Sequence, residues 1–131
     1  MSSQPNFLRA VLLVDAATCV LTGALLTLGA ALVAQMTAIP AALLFYAGAV
    51  LIPIAAFMAL TATRRVIPAP FVWLIIAGNA LWVVASGGLM LADWITPNVW
   101  GYAFIAAQAV AVAALTAMEY GGLQSSPELA A

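Results

Sequence analysis

The sequence predicts an all-α membrane protein: a single domain built as a four-transmembrane-helix bundle, with the N and C termini on the cytoplasmic side. Of its 131 residues, 67% are hydrophobic and only 5% are charged. Such a chain lacks the polar surface that a water-soluble domain of this size needs. It also contains four apolar runs, each long enough for the roughly 20 residues of a spanning helix. Together these observations favour a multi-pass membrane protein.

The first predicted span covers residues 7–34 and carries Asp15 as its only acidic residue. A cleavable signal peptide is the competing interpretation, because Arg9 precedes an apolar stretch. However, the run is longer than the roughly 7–15 apolar residues of a signal peptide, and it does not end in a small-x-small cleavage site. A retained transmembrane helix is therefore the preferred interpretation.

The second predicted span covers residues 41–62 and contains Pro53 near its middle. Proline removes one helical hydrogen bond, so this helix is expected to bend. The third and fourth spans cover residues 71–92 and 99–119, and residues 121–131 form a short tail that begins with two glycines. Turns that contain proline separate all four spans, which gives two helical hairpins.

The basic residues predict the orientation of the bundle. Arg9, Arg64 and Arg65 are the only ones, and four spans place all three on one face of the membrane. Because positively charged loops stay in the cytoplasm, this face is predicted to be cytoplasmic. Aromatic residues collect at the two ends of the spans, as expected at the two membrane interfaces. Trp82 alone lies in the middle of a span.

The composition excludes several classes of chemistry. The chain has no histidine and no lysine, so imidazole-held haem or zinc and a Schiff-base cofactor are excluded. No cofactor is therefore predicted. Cys19, the only cysteine, is read as a small packing residue. The net charge of −1 predicts no nucleic-acid partner.

The two hairpins share a weak internal similarity. Asp15 and Asn79 are each followed by alanine and, eight residues on, by a Gly-x-Leu sequence. A true duplication and a chance similarity between alanine-rich helices both remain open. A duplication would place Asp15 and Asn79 at matching positions of the first helix of each hairpin.

Polar residues inside the predicted spans form a candidate intramembrane site. On the first helix, Asp15, Thr18 and Thr22 share one face, because their spacing follows the helical repeat. The complete candidate site consists of Asp15, Thr18, Thr22, Asn79, Trp82, Ser86 and Gln108. A carboxyl group in a membrane is costly and usually functional, which suggests proton or cation binding. The structural alternative is a packing role, with Asp15 neutral, hydrogen-bonded to Asn79 or paired with an arginine.

A second candidate cluster lies at the cytoplasmic end. Glu119 is placed near the C-terminal end of the last span, where the helix dipole disfavours a negative charge, so an arginine partner is expected. Arg9, Arg64, Arg65 and Glu119 are therefore predicted to form a ring of charges that ties the helix ends together. Binding of lipid phosphate by the arginines is the alternative.

Short sequences spread over most of the chain resemble a group of small bacterial four-helix inner-membrane proteins. They are Leu8-Arg9, Asp15-Ala16, Gly23, Asn79-x-Leu81-Trp82-Val83, Gln108-Ala109 and Glu119-Tyr120-x-Gly122-Leu123. More loosely, the chain is similar to the DoxX-like membrane proteins in size and span number. The resemblance implies a location in the bacterial inner membrane, but it implies no activity.

Two functions are expected from the residues. The first is a non-enzymatic structural or accessory component of the membrane, surrounded by lipid and able to form a homo-oligomer or join a larger membrane complex. It follows from the missing catalytic groups and from a strip of small residues on the fourth span, Ala109, Ala113, Ala117 and Gly121. The alternative is a small proton- or cation-coupled transporter that uses Asp15.

Overall fold

The computed structural model describes residues 4–125, and all regular secondary structure in this range is α-helical. The helices are α1 (Gln4–Leu28), α2 (Ala30–Thr37), α3 (Ala41–Ala62), α4 (Ala69–Leu91) and α5 (Val99–Gln124). Four of them, all except α2, are long and apolar enough to cross a membrane. The predicted helical bundle with four apolar spans is therefore confirmed for the described residues.

The first predicted span differs from the structure at its end. Instead of continuing to residue 34, α1 ends at Leu28, and Gly29 separates it from the short helix α2. The Gly29 amide still donates to the Leu25 carbonyl oxygen and its own carbonyl accepts from Val33, so the interruption is confined to this one residue. The spanning segment is therefore Asn6–Leu28, and α2 belongs to the connection that leads into α3.

The last helix is longer than predicted. α5 passes through Gly121 and Gly122 and ends at Gln124, so the two glycines do not cap it. Gly122 is instead a contact position, because a Cβ atom added there would lie 3.2 Å from the Leu8 Cβ atom. The predicted tail over residues 121–131 starts later, and its residues 126–131 lie outside the described part of the chain.

α1 is the central helix of the bundle. It packs along α3 and also contacts α5, while α4 packs mainly on α5. Two glycines bring α1 and α3 close together: a Cβ atom added to Gly48 would lie 2.9 Å from the Gly23 carbonyl oxygen and 2.7 Å from the Leu26 Cβ atom. By contrast, α3 and α4 approach each other at few positions. The bundle is consequently tight between α1 and α3 and open between α3 and α4.

Polar contacts tie the helix ends together on both sides of the bundle. At one end, the Arg9 guanidinium donates hydrogen bonds to the carbonyl oxygens of Ala62 and Arg64, at the end of α3. A positive charge at the carboxyl end of a helix is favourable. At the other end, Asn98 caps α5 and its side chain also donates to the Met36 carbonyl oxygen in α2 at 3.1 Å. These contacts fix the order of the helices around α1.

The outer surface of the bundle is apolar. Large aliphatic side chains such as Leu21, Leu81 and Val84 are exposed along the candidate spans. A water-soluble protein of this size does not expose so continuous an apolar surface. The aromatic side chains Trp73 and Tyr120 stack edge to face at the same end of the bundle as Arg9. Both features are those of a multi-pass membrane protein.

Candidate functional site

Asp15 lies in the middle of the bundle, at the centre of a buried polar cluster. Its side chain is 2% exposed, and Oδ2 accepts a hydrogen bond of 2.9 Å from the Asn79 side-chain amide. The thiol of Cys19, one helical turn further along α1, lies 3.8 Å from Oδ1. The structure therefore brings together Asp15 and Asn79, the two residues that the weak internal similarity aligns.

Asn79 also holds a second carboxyl group. Its Nδ2 atom donates to Glu119 Oε1 at 3.1 Å, so both hydrogens of this amide point to carboxyl oxygens. Glu119 is fully buried, and its carboxyl group is next to that of Asp15, because both accept a hydrogen bond from the same amide nitrogen. The cluster therefore joins α1, α4 and α5 through one amide and two carboxyl groups.

This position of Glu119 corrects the predicted ring of charges. Glu119 is not among the arginines at the end of the bundle but inside it, with Asn79 as its donor. The reason is the longer course of α5, since Leu123 and Gly122 are themselves buried against α1 one turn beyond Glu119. The Glu119 carboxyl group, which its sequence position suggested for the interface, is thus enclosed by helix packing.

The arginines form contacts of other kinds. Arg9 binds main-chain carbonyl oxygens, Arg64 lies over the Phe71 ring at 5.7 Å from its centroid, and Arg65 is exposed. They cluster at one end of the bundle, as predicted, but without Glu119. This end remains the predicted cytoplasmic face.

A second polar network lies about two turns further along α4. The Trp82 indole nitrogen donates to Gln108 Oε1 at 2.7 Å, and Gln108 Nε2 donates to the Ser86 hydroxyl at 3.0 Å. The Ser86 hydroxyl donates to the Trp82 carbonyl oxygen at 2.8 Å. The mid-span tryptophan is thus held in place by a partner on α5.

A cavity of about 380 Å³ lies between the two networks and is partly open. Asp15, Thr18 and Thr22 line it from α1, and Asn79, Trp82 and Gln108 from α4 and α5. Most of the wall is apolar and includes Phe57 and Met58 of α3. The exposed lining residues Pro53, Leu74 and Gly78 are on α3 and α4, which approach each other at few positions, so the opening lies between these two helices.

A smaller cavity of about 210 Å³ lies further from the arginine end. The residues of α1 and α4 that line it come mostly later in these helices than the residues that line the larger cavity. The beginning of α3 also lines it. Thr22, Trp82 and Gln108 line both cavities. The hydrogen-bonded pair of Trp82 and Gln108 therefore separates two chambers that follow one another along the helix axes.

Six of the seven residues of the predicted intramembrane site line the larger cavity, and Ser86 lines the smaller one. Thr18 contributes less to the polar part of the cavity wall than its position suggests, because its hydroxyl donates to the Val14 carbonyl oxygen of its own helix at 2.8 Å. Glu119 was missed as a member of this site, because its sequence position assigned it to the charge ring with the arginines. The apolar wall of α3 was also missed, because residues such as Phe57 and Met58 resemble every other lipid-facing or packing residue in the sequence.

Comparisons of the chain with models of protein families, with curated protein sequences and with solved structures find no match. The residues of the chain are therefore the basis for a functional assignment.

Proposed function

We propose that this protein is a small, non-enzymatic component of the bacterial inner membrane that binds an amphipathic, mainly apolar molecule inside its helical bundle. The larger cavity is the observation that supports the proposal. Its volume of about 380 Å³ lies within the roughly 300–1,000 Å³ of small-molecule pockets. An apolar wall with a few polar groups at defined positions is also typical of such sites.

The position of the opening supports access from the lipid. Pro53, Leu74 and Gly78 are exposed on helices that are candidate spans, so the gap between α3 and α4 faces hydrocarbon in a membrane. An apolar molecule with one polar end could enter sideways, with its polar end directed to Asp15 and Asn79. The orientation that we propose places the arginine end and both termini in the cytoplasm.

Trp82 provides the test, because it lines both cavities. In a chain with Trp73, Trp94 and Trp100 replaced by phenylalanine, Trp82 is the only remaining tryptophan. We expect 4-butylphenol, a small amphipathic probe, to change its fluorescence saturably in lipid nanodiscs. A response that never saturates, as with probe dissolved in the lipid, would contradict the proposal.

Two glycines of α4 supply matched variants for this titration. Gly78 lines the larger cavity, and no atom lies within 4 Å of a Cβ atom added there, so Gly78→Leu adds a side chain to the cavity wall and its Cβ atom meets no neighbour. Gly88 is equally open but lines neither cavity. Gly78→Leu should weaken probe binding at least tenfold, whereas Gly88→Leu should leave it unchanged. Equal effects of both variants would place the probe outside the cavity.

Proton- or cation-coupled transport is the second candidate function. It is favoured by the two chambers that follow one another along the spans on either side of Trp82 and Gln108. Transport would use Asp15 as the coupling group. The test is proton flux into liposomes that contain the protein: a flux that Asp15→Asn abolishes supports transport, and an absence of flux above that of empty liposomes contradicts it.

A further inference from the structure

The buried carboxyl groups of Asp15 and Glu119 have fewer hydrogen-bond donors among the described residues than acceptor oxygens. Asn79 donates one hydrogen bond to each carboxyl group, and the Cys19 thiol is next to the other Asp15 oxygen. Glu119 Oε2 is fully enclosed and has no donor among the described residues. Its carboxyl neighbour is Asp15, which accepts a hydrogen bond from the same Asn79 amide. A hydrogen bond between two carboxyl groups forms only when one of them carries a proton, and such a proton would supply the missing donor.

Within residues 4–125, no positive charge lies next to the pair to replace this proton. On α1 the neighbours are Cys19 and, towards the helix start, Arg9, whose guanidinium is held by carbonyl oxygens of the α3 end. α3 brings Met58 to Cys19, and α4 brings Asn79, neither of which titrates. Two negative charges so close together in an apolar site repel each other, and one proton shared by the pair would remove this repulsion.

The cavity wall beside Asp15 determines which ligand could take the place of the proton. Among the described residues on the wall, Asp15 is the only acidic one and none is basic. The aromatic side chains of Phe57 and Trp82 are on the same wall, and aromatic rings attract organic cations. An inorganic ion would have to exchange its water for a mostly apolar surface, which is unfavourable. An apolar organic ammonium ion matches this wall in both charge and polarity.

We propose that the cavity binds apolar organic ammonium ions and that the Asp15–Glu119 pair releases one proton for each cation bound. One positive charge enters the site as one leaves to water, so the net charge of the site does not change. This inference rests on the proposed function, because it specifies the ligand class of the same cavity.

Benzyltrimethylammonium is a suitable probe, since its positive charge does not depend on pH. We expect it to change the fluorescence of Trp82 in the single-tryptophan chain. Calorimetric titrations at one pH in two buffers of different ionisation enthalpy should report close to one proton released per cation. Because binding releases a proton, a lower pH opposes it, and the affinity should fall by up to about tenfold per pH unit. Binding without proton release would overturn the inference.

Asp15→Asn and Asp93→Asn form a matched pair of variants. Each removes one carboxylate, but Asp93 is exposed in the turn between α4 and α5 and lines neither cavity. Asp15→Asn should weaken benzyltrimethylammonium binding at least tenfold, and Asp93→Asn should not change it. Asp15→Asn should keep the helical circular-dichroism spectrum of the native chain, which shows that the variant is folded. Equal cation affinity in both variants would overturn the assignment to Asp15.

The neutral probe separates the two proposals. If the native chain binds 4-butylphenol and not benzyltrimethylammonium, the inference about cations fails while the proposed function stands. If it binds neither probe, both fail.

Discussion

The Asn79 side chain donates a hydrogen bond of 2.9 Å to Asp15 and thereby joins the first helix of one hairpin to the first helix of the other. Away from water, a carboxyl group without a donor is costly, so this bond fixes how the two hairpins pack. It also leaves Asp15 on the cavity wall. The same contact thus contributes to the fold and to the proposed site.

The first prediction concerns this contact. Asn79→Leu keeps the approximate size of the side chain and removes the donor of two buried carboxyl groups. We expect the free energy of unfolding to fall by about 1–3 kcal/mol, the usual cost of a buried polar group left without a partner. Unfolding by sodium dodecyl sulfate in mixed micelles, followed by circular dichroism, would measure it.

Ala80→Leu is the control for this substitution, because it places leucine at the next position of α4, which is exposed on the bundle surface. It should leave the free energy of unfolding nearly unchanged. If both variants were equally stable, the hydrogen bonds of Asn79 would not contribute to stability.

The second prediction concerns the close contact of α1 and α3. A Cβ atom added to Gly48 would meet the Gly23 carbonyl oxygen at 2.9 Å, and backbone atoms cannot move aside easily. Gly48→Ala should therefore lower the free energy of unfolding by about 1–3 kcal/mol, as overpacked cores do. The mixed-micelle assay applies here as well.

Gly88→Ala is the matched control for Gly48→Ala, since nothing lies within 4 Å of its added Cβ atom. It should be neutral or slightly stabilising, because alanine favours helix more than glycine. A destabilised Gly88→Ala would show that the helix, rather than the contact, is sensitive to the change.

The sequence predicted the spans better than the contacts between them. The length of each apolar run sets the length of a spanning helix, which explains the agreement for α3 and α4. Gly29 divides the first run, and nothing in the hydrophobicity of that run shows the break. Helical spacing also placed Asp15 and Thr22 on one face, because that face depends only on neighbours along the chain.

Glu119 shows why the charged groups were harder to place. Its distance from the predicted end of the fourth span suggested the membrane interface and an arginine partner. Its burial depends on Gly122 and Leu8, which are far apart in sequence and touch only in the folded bundle. A single sequence carries no record of such a contact.

The third prediction concerns orientation in the membrane. Val66 and Trp94 are exposed in the turns at opposite ends of the bundle. In a Cys19→Ser background, Val66→Cys and Trp94→Cys each provide one thiol. Because positively charged loops stay inside, a membrane-impermeant maleimide added to spheroplasts should label Trp94→Cys at once, and Val66→Cys only after permeabilisation. The reverse pattern would show that the arginine end faces the periplasm.

The fourth prediction concerns the partition between the two cavities. Trp82 lines both of them and is held by Gln108 at 2.7 Å, so a smaller side chain at this position should join the chambers of about 380 and 210 Å³. Cys19, the only cysteine of the chain, lines the larger cavity and reports on access to it. We expect Trp82→Leu to increase the rate at which N-ethylmaleimide alkylates Cys19 several-fold in nanodiscs.

Two variants separate the role of the indole ring from other effects in this experiment. Trp73→Leu removes an indole that is stacked on Tyr120 and lines neither cavity, so it should leave the alkylation rate of Cys19 unchanged. Gln108→Leu removes the hydrogen-bond acceptor but retains the bulk of both side chains, and a small increase in rate is expected. If Trp82→Leu reacted no faster than Trp73→Leu, Trp82 would not limit access to the larger cavity. If Gln108→Leu matched Trp82→Leu, the hydrogen bond rather than the bulk of the ring would keep the chambers apart.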